Sequence, residues 1–260
     1  MIDEKTKLIL SESEDIEKIL NDELLIEFGK LHNIPNKENL LNLKQEVVAK
    51  KGYFLNVKKK YALYITNSGG VEVDEMYLKG LVTQRSDYPS LTKKNINKIL
   101  EMLLKKDECS FTEIFNFIEK TKKEITDLCI KGDPRVARPV SFSKPLDKYK
   151  VIPAHVIGMQ FWNMCVYDHF VPGTRGYLFK TRGINEFEAP QKAVENSKKI
   201  KSLDCVVLPE EEEYLPKYFN INVDAMVKFA WTDRIEELLK PIWDKIYPND
   251  SKNEEEIAFF

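Results

Sequence analysis

"NVKKKYALYITNSGGVEVDEMYL" (residues 56–78) decides how the first part of the chain folds. In Tyr61-Ala62-Leu63-Tyr64-Ile65 the odd positions are the larger and more apolar, as on a half-buried strand. Asn67-Ser68-Gly69-Gly70 is a turn signal, and "VEVDEMYLKGLVTQ" then returns as a second strand. Gly69-Gly70 reads as a hairpin turn rather than a phosphate cradle. The anomaly is Lys58-Lys59-Lys60, three adjacent like charges directly ahead of a strand that enters a core. Desolvating ammonium groups without partners is costly. Either the lysines are a solvated strand end, or a polyanion lies across the strand with Tyr61 at its rim.

Working outward, "EVVAKKGYFLNV" (46–57) reads as a strand leading into this hairpin, so residues 45–85 form sheet. Upstream, Ile16, Ile19, Leu20, Leu24 and Phe28 recur at helical spacing until "NIPNKEN" breaks the pattern. Downstream, "LTKKNINKILEMLLKK" (91–106) places Ile96, Ile99, Leu100, Leu103 and Leu104 on one helical face. Ser110-Phe-Thr-Glu113 is a capping box opening another helix. Residues 131–153 form a proline-punctuated basic connection, 153–170 an apolar helix with Met159, Phe161, Trp162 and Met164 as core, and 224–246 a final amphipathic helix. "GYLFKTR" and "LDCVVLP" are short strands. The fold class is α+β: a sheet-containing part to residue 88, then a mostly helical part over 89–250, then a tail over 251–260.

Composition narrows the function. With 260 residues, 43% hydrophobic and 32% charged, the chain can bury a sizeable core. No apolar run approaches a membrane span and no cleavable signal is visible, so a cytoplasmic protein without membrane contact is expected. Cys109, Cys129, Cys165 and Cys205 lack metal-ligand spacing and read as reduced, buried thiols. His32, His155 and His169 form no ligand pattern either. No GxxxxGK[ST], GxSxG or HExxH is present, nor an Asp-x-Asp pair for Mg²⁺. No catalytic residue and no metal site are therefore assigned. The net charge of −2 hides an uneven distribution: Val47–Val71 contains five lysines and no acid, while acid gathers in Glu210–Glu213 and Glu254–Glu256.

The order "LKQEVVAKKGYFLNVKKKYALYI", "YLKGLVTQRSDYPSLTKK", "IPAHVIGMQFWN" resembles the C-terminal third of a family B DNA polymerase, of the type found in T4-like tailed phages. The likeness runs from about residue 40 to 245. In that family a palm strand carries Lys-Lys-Arg-Tyr along the primer–template minor groove, matched here by Lys58, Lys59, Lys60 and Tyr61 with lysine in place of arginine. A palm-to-thumb segment is matched by Lys79-Gly80-Leu81 and Arg85-Ser86-Asp87-Tyr88-Pro89, and a thumb element by Pro153-Ala154-His155-Val156. The resemblance implies that residues 1–88 end a palm and 89–250 form a thumb. DNA-binding residues would be Lys58, Lys59, Lys60, Tyr61, Lys79, Arg85, Ser86, Arg135, Arg138 and His155. Phosphates and groove-edge acceptors would then offset the repulsion among the lysines.

The family's first palm aspartate, fingers helix, Tyr-Gly-Asp-Thr-Asp turn and exonuclease are not in the sequence. The resemblance therefore implies the smaller product of a split polymerase gene, inactive alone, with Mg²⁺ bound in a larger partner chain that carries exonuclease, fingers and catalytic palm. "EEEIAFF" (254–260) reads as a clamp-docking peptide anchored by Ile257, Phe259 and Phe260, or as a tail folded back on its own domain. The rival reading is a free-standing DNA-binding regulator derived from a polymerase thumb.

Overall fold

The computed structural model describes residues 4–34, 42–106, 108, 110–200 and 204–248. Its architecture is α+β. Two compact units emerge: the described residues through Lys79 together with Leu103–Lys106, and the remainder from Gly80 onward. This division falls after Lys79, earlier in the chain than the change of period read from sequence at residue 88.

In the first unit, α1 (Glu4–Lys18) runs through a π-helical stretch (Ile19–Leu24) into α2 (Leu25–Leu31). Three strands follow, β1 (Val47–Phe54), β2 (Tyr61–Ser68) and β3 (Val71–Lys79), paired antiparallel in the order β1-β2-β3. Ser68 pairs with Val71, so the β2–β3 connection is the two residues Gly69 and Gly70, at φ 56° and 86°. Positive φ at both positions gives the hairpin turn whose twist matches its strands, which glycine adopts without steric cost. The expected alternation on β2 is only partly kept. Ile65 is buried as read, but so is Ala62, which points to the opposite face of the strand.

The second unit begins with α3 (Ser90–Leu104), all but its last two residues, and α4 (Phe111–Lys131). Ser110 Oγ accepts from the Glu113 N–H at 3.2 Å, the cap read from sequence. Gly132 ends α4 at φ 73°, and its carbonyl accepts from the Leu215 N–H at 3.0 Å. A second sheet holds β4 (Arg138–Ser141), β5 (Arg175–Ile184) and β6 (Cys205–Pro209) in that order, with β7 (Phe219–Ile221) pairing the far end of β5. Between them lie α5 (Ala154–Cys165) and α6 (Gln191–Ser197). α5 packs on β6 at Gly158, where a Cβ would stand 3.2 Å from Val207 Cγ2. Phe161, Trp162, Phe179 and Trp231 are fully buried in this unit's core. Cys129, Cys165 and Cys205 are buried free thiols, and burial pushes Cys129 up to about 12.

Three sequence expectations need correction. The helix expected over 153–170 stops at Cys165, where Asn163 folds the chain back. Its Oδ1 accepts from the N–H groups of His169 and Phe170, and its Nδ2 donates to the Phe170 carbonyl. The helix expected over 224–246 is broken into α7 (Val223–Val227), a π-helical turn, α8 (Asp233–Leu239), a 3₁₀ turn at Lys240–Ile242 and α9 (Trp243–Ile246). Pro241 lacks the N–H that a continuous α-helix needs there. β4 was hidden inside the basic connection, because Pro139 masks a strand signal.

Candidate nucleic-acid interface

The lysine run does not open β2; it builds the turn before it. The Leu55 N–H donates to the Lys60 carbonyl at 3.1 Å, and the Lys60 N–H to the Val57 carbonyl at 3.3 Å. Lys59 sits at φ 61°, a left-handed conformation that costs a lysine about 1–2 kcal/mol. Lys58 and Lys59 are exposed at the tip, and neither they nor Lys79 are ion-paired among the described residues. Lys60 is half-buried beside Tyr61.

Register then assembles a surface. Phe54 pairs with Tyr61 and Tyr61 with Lys79, so these three share one face; two residues along, Gly52, Leu63 and Tyr77 form the next row of that face. Ring centroids lie 5.7 Å apart for Phe54–Tyr61 and 6.3 Å for Tyr61–Tyr77. Phe54 is 62% exposed. Its ring spreads over Gly52, where a Cβ would come within 2.8 Å of Phe54 Cε2. The result is an aromatic row bordered by lysines. Charge is polarised along the sheet: Lys58, Lys59, Lys60 and Lys79 occupy one end, and Glu72, Asp74 and Glu75 lie toward the other. The seven steps along β3 from Glu72 to Lys79 span up to about 24 Å.

The second unit gathers a different set. Arg85 grips Asp87 through Nε and Nη2, each at 2.9 Å, and Arg138 Nη2 reaches the same carboxylate at 3.3 Å. The Arg85 hydrogen bond, against the opposing effect of burial, holds the Asp87 carboxyl below its ordinary value. The Arg85 guanidinium lies 5.0 Å over the Tyr88 ring and that of Arg234 lies 5.3 Å from it, while Tyr88 stacks on Phe229 at 5.8 Å. Phe229 in turn lines a cavity of about 300 Å³ with Arg138, His155, Lys180, Leu178 and Met226. Burial, and then the charge of Arg138, lower the His155 pKa below 6.5, favouring neutral imidazole. An anion in the cavity would favour the charged form instead.

Arg85, Arg138 and His155 are thus brought together, with Ser86 exposed beside them. Arg135 stands apart, chelated by Asp133 through Nε and Nη2. Burial alone would raise the Asp133 carboxyl, but hydrogen bonds from the Arg135 side chain and backbone outweigh it and lower the pKa. Ile257, Phe259 and Phe260 lie outside the described residues. Sequence reading missed Phe54 and Tyr77, which register alone places beside Tyr61. It also missed Lys180 and Arg234, isolated cations with no motif around them.

Among the described residues no group of three or more His, Cys, Asp or Glu is placed to hold a metal ion. No helix among them is long and apolar enough to cross a membrane. Compared with known proteins, residues 26–150 match the sequence model of DNA polymerase family B, somewhat under half of the chain. Residues 26–150 are thus similar to part of a family B DNA polymerase. The match spans the lysine turn, both hairpins of the first sheet, Arg85, Arg135 and Arg138, and stops short of His155. No curated protein matches the chain.

Proposed function

We propose that this chain grips primer–template duplex as part of a family B DNA polymerase of T4-like phage type, beside a partner polypeptide that supplies the Mg²⁺-binding aspartates, fingers and exonuclease. In this reading the first unit ends the palm and the second is the thumb. The observation that carries it is the acid-free sheet end formed by Lys58, Lys59, Lys60 and Lys79 around Tyr61, inside the segment that matches the family. Ammonium groups there meet backbone phosphates, and the aromatic row lies against the sugar edge of the groove. Such contacts position a duplex without reading its sequence.

Two features support a partner. Leu8, Ile9, Ile16, Ile19, Leu24, Phe28 and Leu31 expose apolar side chains along α1, the π turn and α2, with Leu31 at 80%. Seven such residues in one helical stretch exceed the scattered apolar exposure of an ordinary surface. Among the described strands β3 is also at a sheet edge, with an exposed Val71, the kind of position at which a further strand can add. The test is binding of fluorescent primer–template duplexes of two unrelated sequences. Equal, salt-sensitive affinity for both supports the reading; absence of binding at low salt refutes it.

A further inference from the structure

Beyond the duplex-binding reading, and independent of it, the second unit carries a groove of about 970 Å³ at the C-terminal end of α4. Its apolar lining includes Ile130, Leu215, Phe219 and Val223, with Lys131, Arg182 and Lys217 among the lining residues. The groove exists because α4 stops at Gly132, which hydrogen-bonds Leu215 and lets the 214–223 segment pass close by. A Cβ on Gly132 would stand 2.8 Å from Leu215 Cβ. Ile130 is 63% exposed, a β-branched apolar side chain left open at the mouth. Among the described residues the lining contains three cations and no carboxylate, although Arg182 already pairs with Asp224 at 3.2 Å.

We infer that this groove is the docking site for the chain's own segment 254–260, Glu-Glu-Glu-Ile-Ala-Phe-Phe. The two match in kind: three carboxylates face three cations, and Ile257, Phe259 and Phe260 face an apolar floor. The lengths also match. α9 packs on α4, and Tyr247 meets Phe115 at 5.4 Å between rings, so the described chain ends near the first half of that helix. From Phe115 to Ile130 the helix rises about 23 Å. The ten residues from Tyr247 to Ile257 span up to about 35 Å when extended. The segment therefore reaches the groove with slack. Any other surface that takes Ile257, Phe259 and Phe260, a sliding clamp included, competes with the groove for them.

The test opens the groove in the full-length chain by changing Phe259 and Phe260 to Asp, then titrates fluorescein-labelled peptide of sequence EEEIAFF. A short tether supplies an effective concentration of about 1 mM, so an in-cis site needs a peptide Kd of about 1 mM or tighter. The opened chain is expected to bind the peptide in that range, more weakly at high salt. The unaltered chain, whose own segment competes for the site, should bind the peptide at least about twofold more weakly. Ile130→Glu and the exposed Lys217→Glu, each added to the opened chain, should weaken binding at least tenfold; the second serves if the first disturbs folding. No binding up to about 5 mM peptide, undiminished binding in both groove variants, or equal uptake by unaltered and opened chains each overturns the inference.

Discussion

Replacing Lys58 by Gln and Lys59 by Asn removes the two exposed charges at the tip of the β1–β2 turn while sparing its backbone. Gln keeps a polar chain where Lys58 points into solvent. Asn tolerates the left-handed φ of 61° at position 59 better than most residues, so the turn is not strained further. Lys60 is left in place because its carbonyl closes the turn and its side chain is half-buried. If each removed lysine neutralises one phosphate, the slope of log affinity against log salt falls by about 0.9 per residue, or about 1.8 for the pair. Between 50 and 200 mM KCl, a fourfold change, the unaltered protein then loses about 12-fold more affinity than the variant. Fluorescence anisotropy with a labelled primer–template duplex measures both slopes, and a thermal melt checks that the variant is folded. A folded variant with an unchanged slope would reduce the lysine run to a solvated turn and remove the strongest support for the interface.

Other consequences are as definite. Gly132→Ala forces a Cβ into Leu215 at a positive φ, so urea unfolding should show a loss of about 2–4 kcal/mol from left-handed strain plus overpacking; a loss below about 1 kcal/mol would contradict the geometry. His155 should titrate below 6.5 by NMR, and Arg138→Gln should raise it only part of the way, because burial is the larger cause. With the folded pKa depressed, the unfolded chain holds the extra proton between that value and about 6.5, so stability falls as pH drops through this window. His155→Gln should flatten that slope, and a His155 pKa above 6.5 would contradict it. Ile16→Asp with Phe28→Asp, both at exposed positions, should leave the melting temperature of the chain unchanged and abolish copurification with the proposed partner. Retained copurification would remove that helical face from the account.

Local chemistry made much of the fold legible. The Gly69-Gly70 turn, the Ser110 cap and the 3.6-residue spacing of Ile96, Ile99 and Leu100 are each determined by a few neighbouring residues, and the structure keeps all three. What escaped depends on distant partners. Asn163 stops α5 only because residues 169 and 170 return to it, and β4 is a strand only because β5 lies beside it. The same holds for the candidate interface. Lys58, Lys59, Tyr61 and Lys79 were legible in the sequence, whereas Phe54 and Tyr77 join them only through cross-strand register. At Arg85 the sequence shows a cation, and only the structure shows that Asp87 already holds it and shares itself with Arg138.

Primer extension tests the central claim most directly. Purified chain, primer–template, Mg²⁺ and deoxynucleotides are combined with and without a partner polypeptide carrying the Asp-Thr-Asp turn. The account predicts no extension by the chain alone, and extension by the pair that exceeds that of the partner alone and is reduced by the Lys58→Gln, Lys59→Asn variant at 200 mM salt. Extension by the chain alone, or a partner whose synthesis is indifferent to its presence, would contradict it.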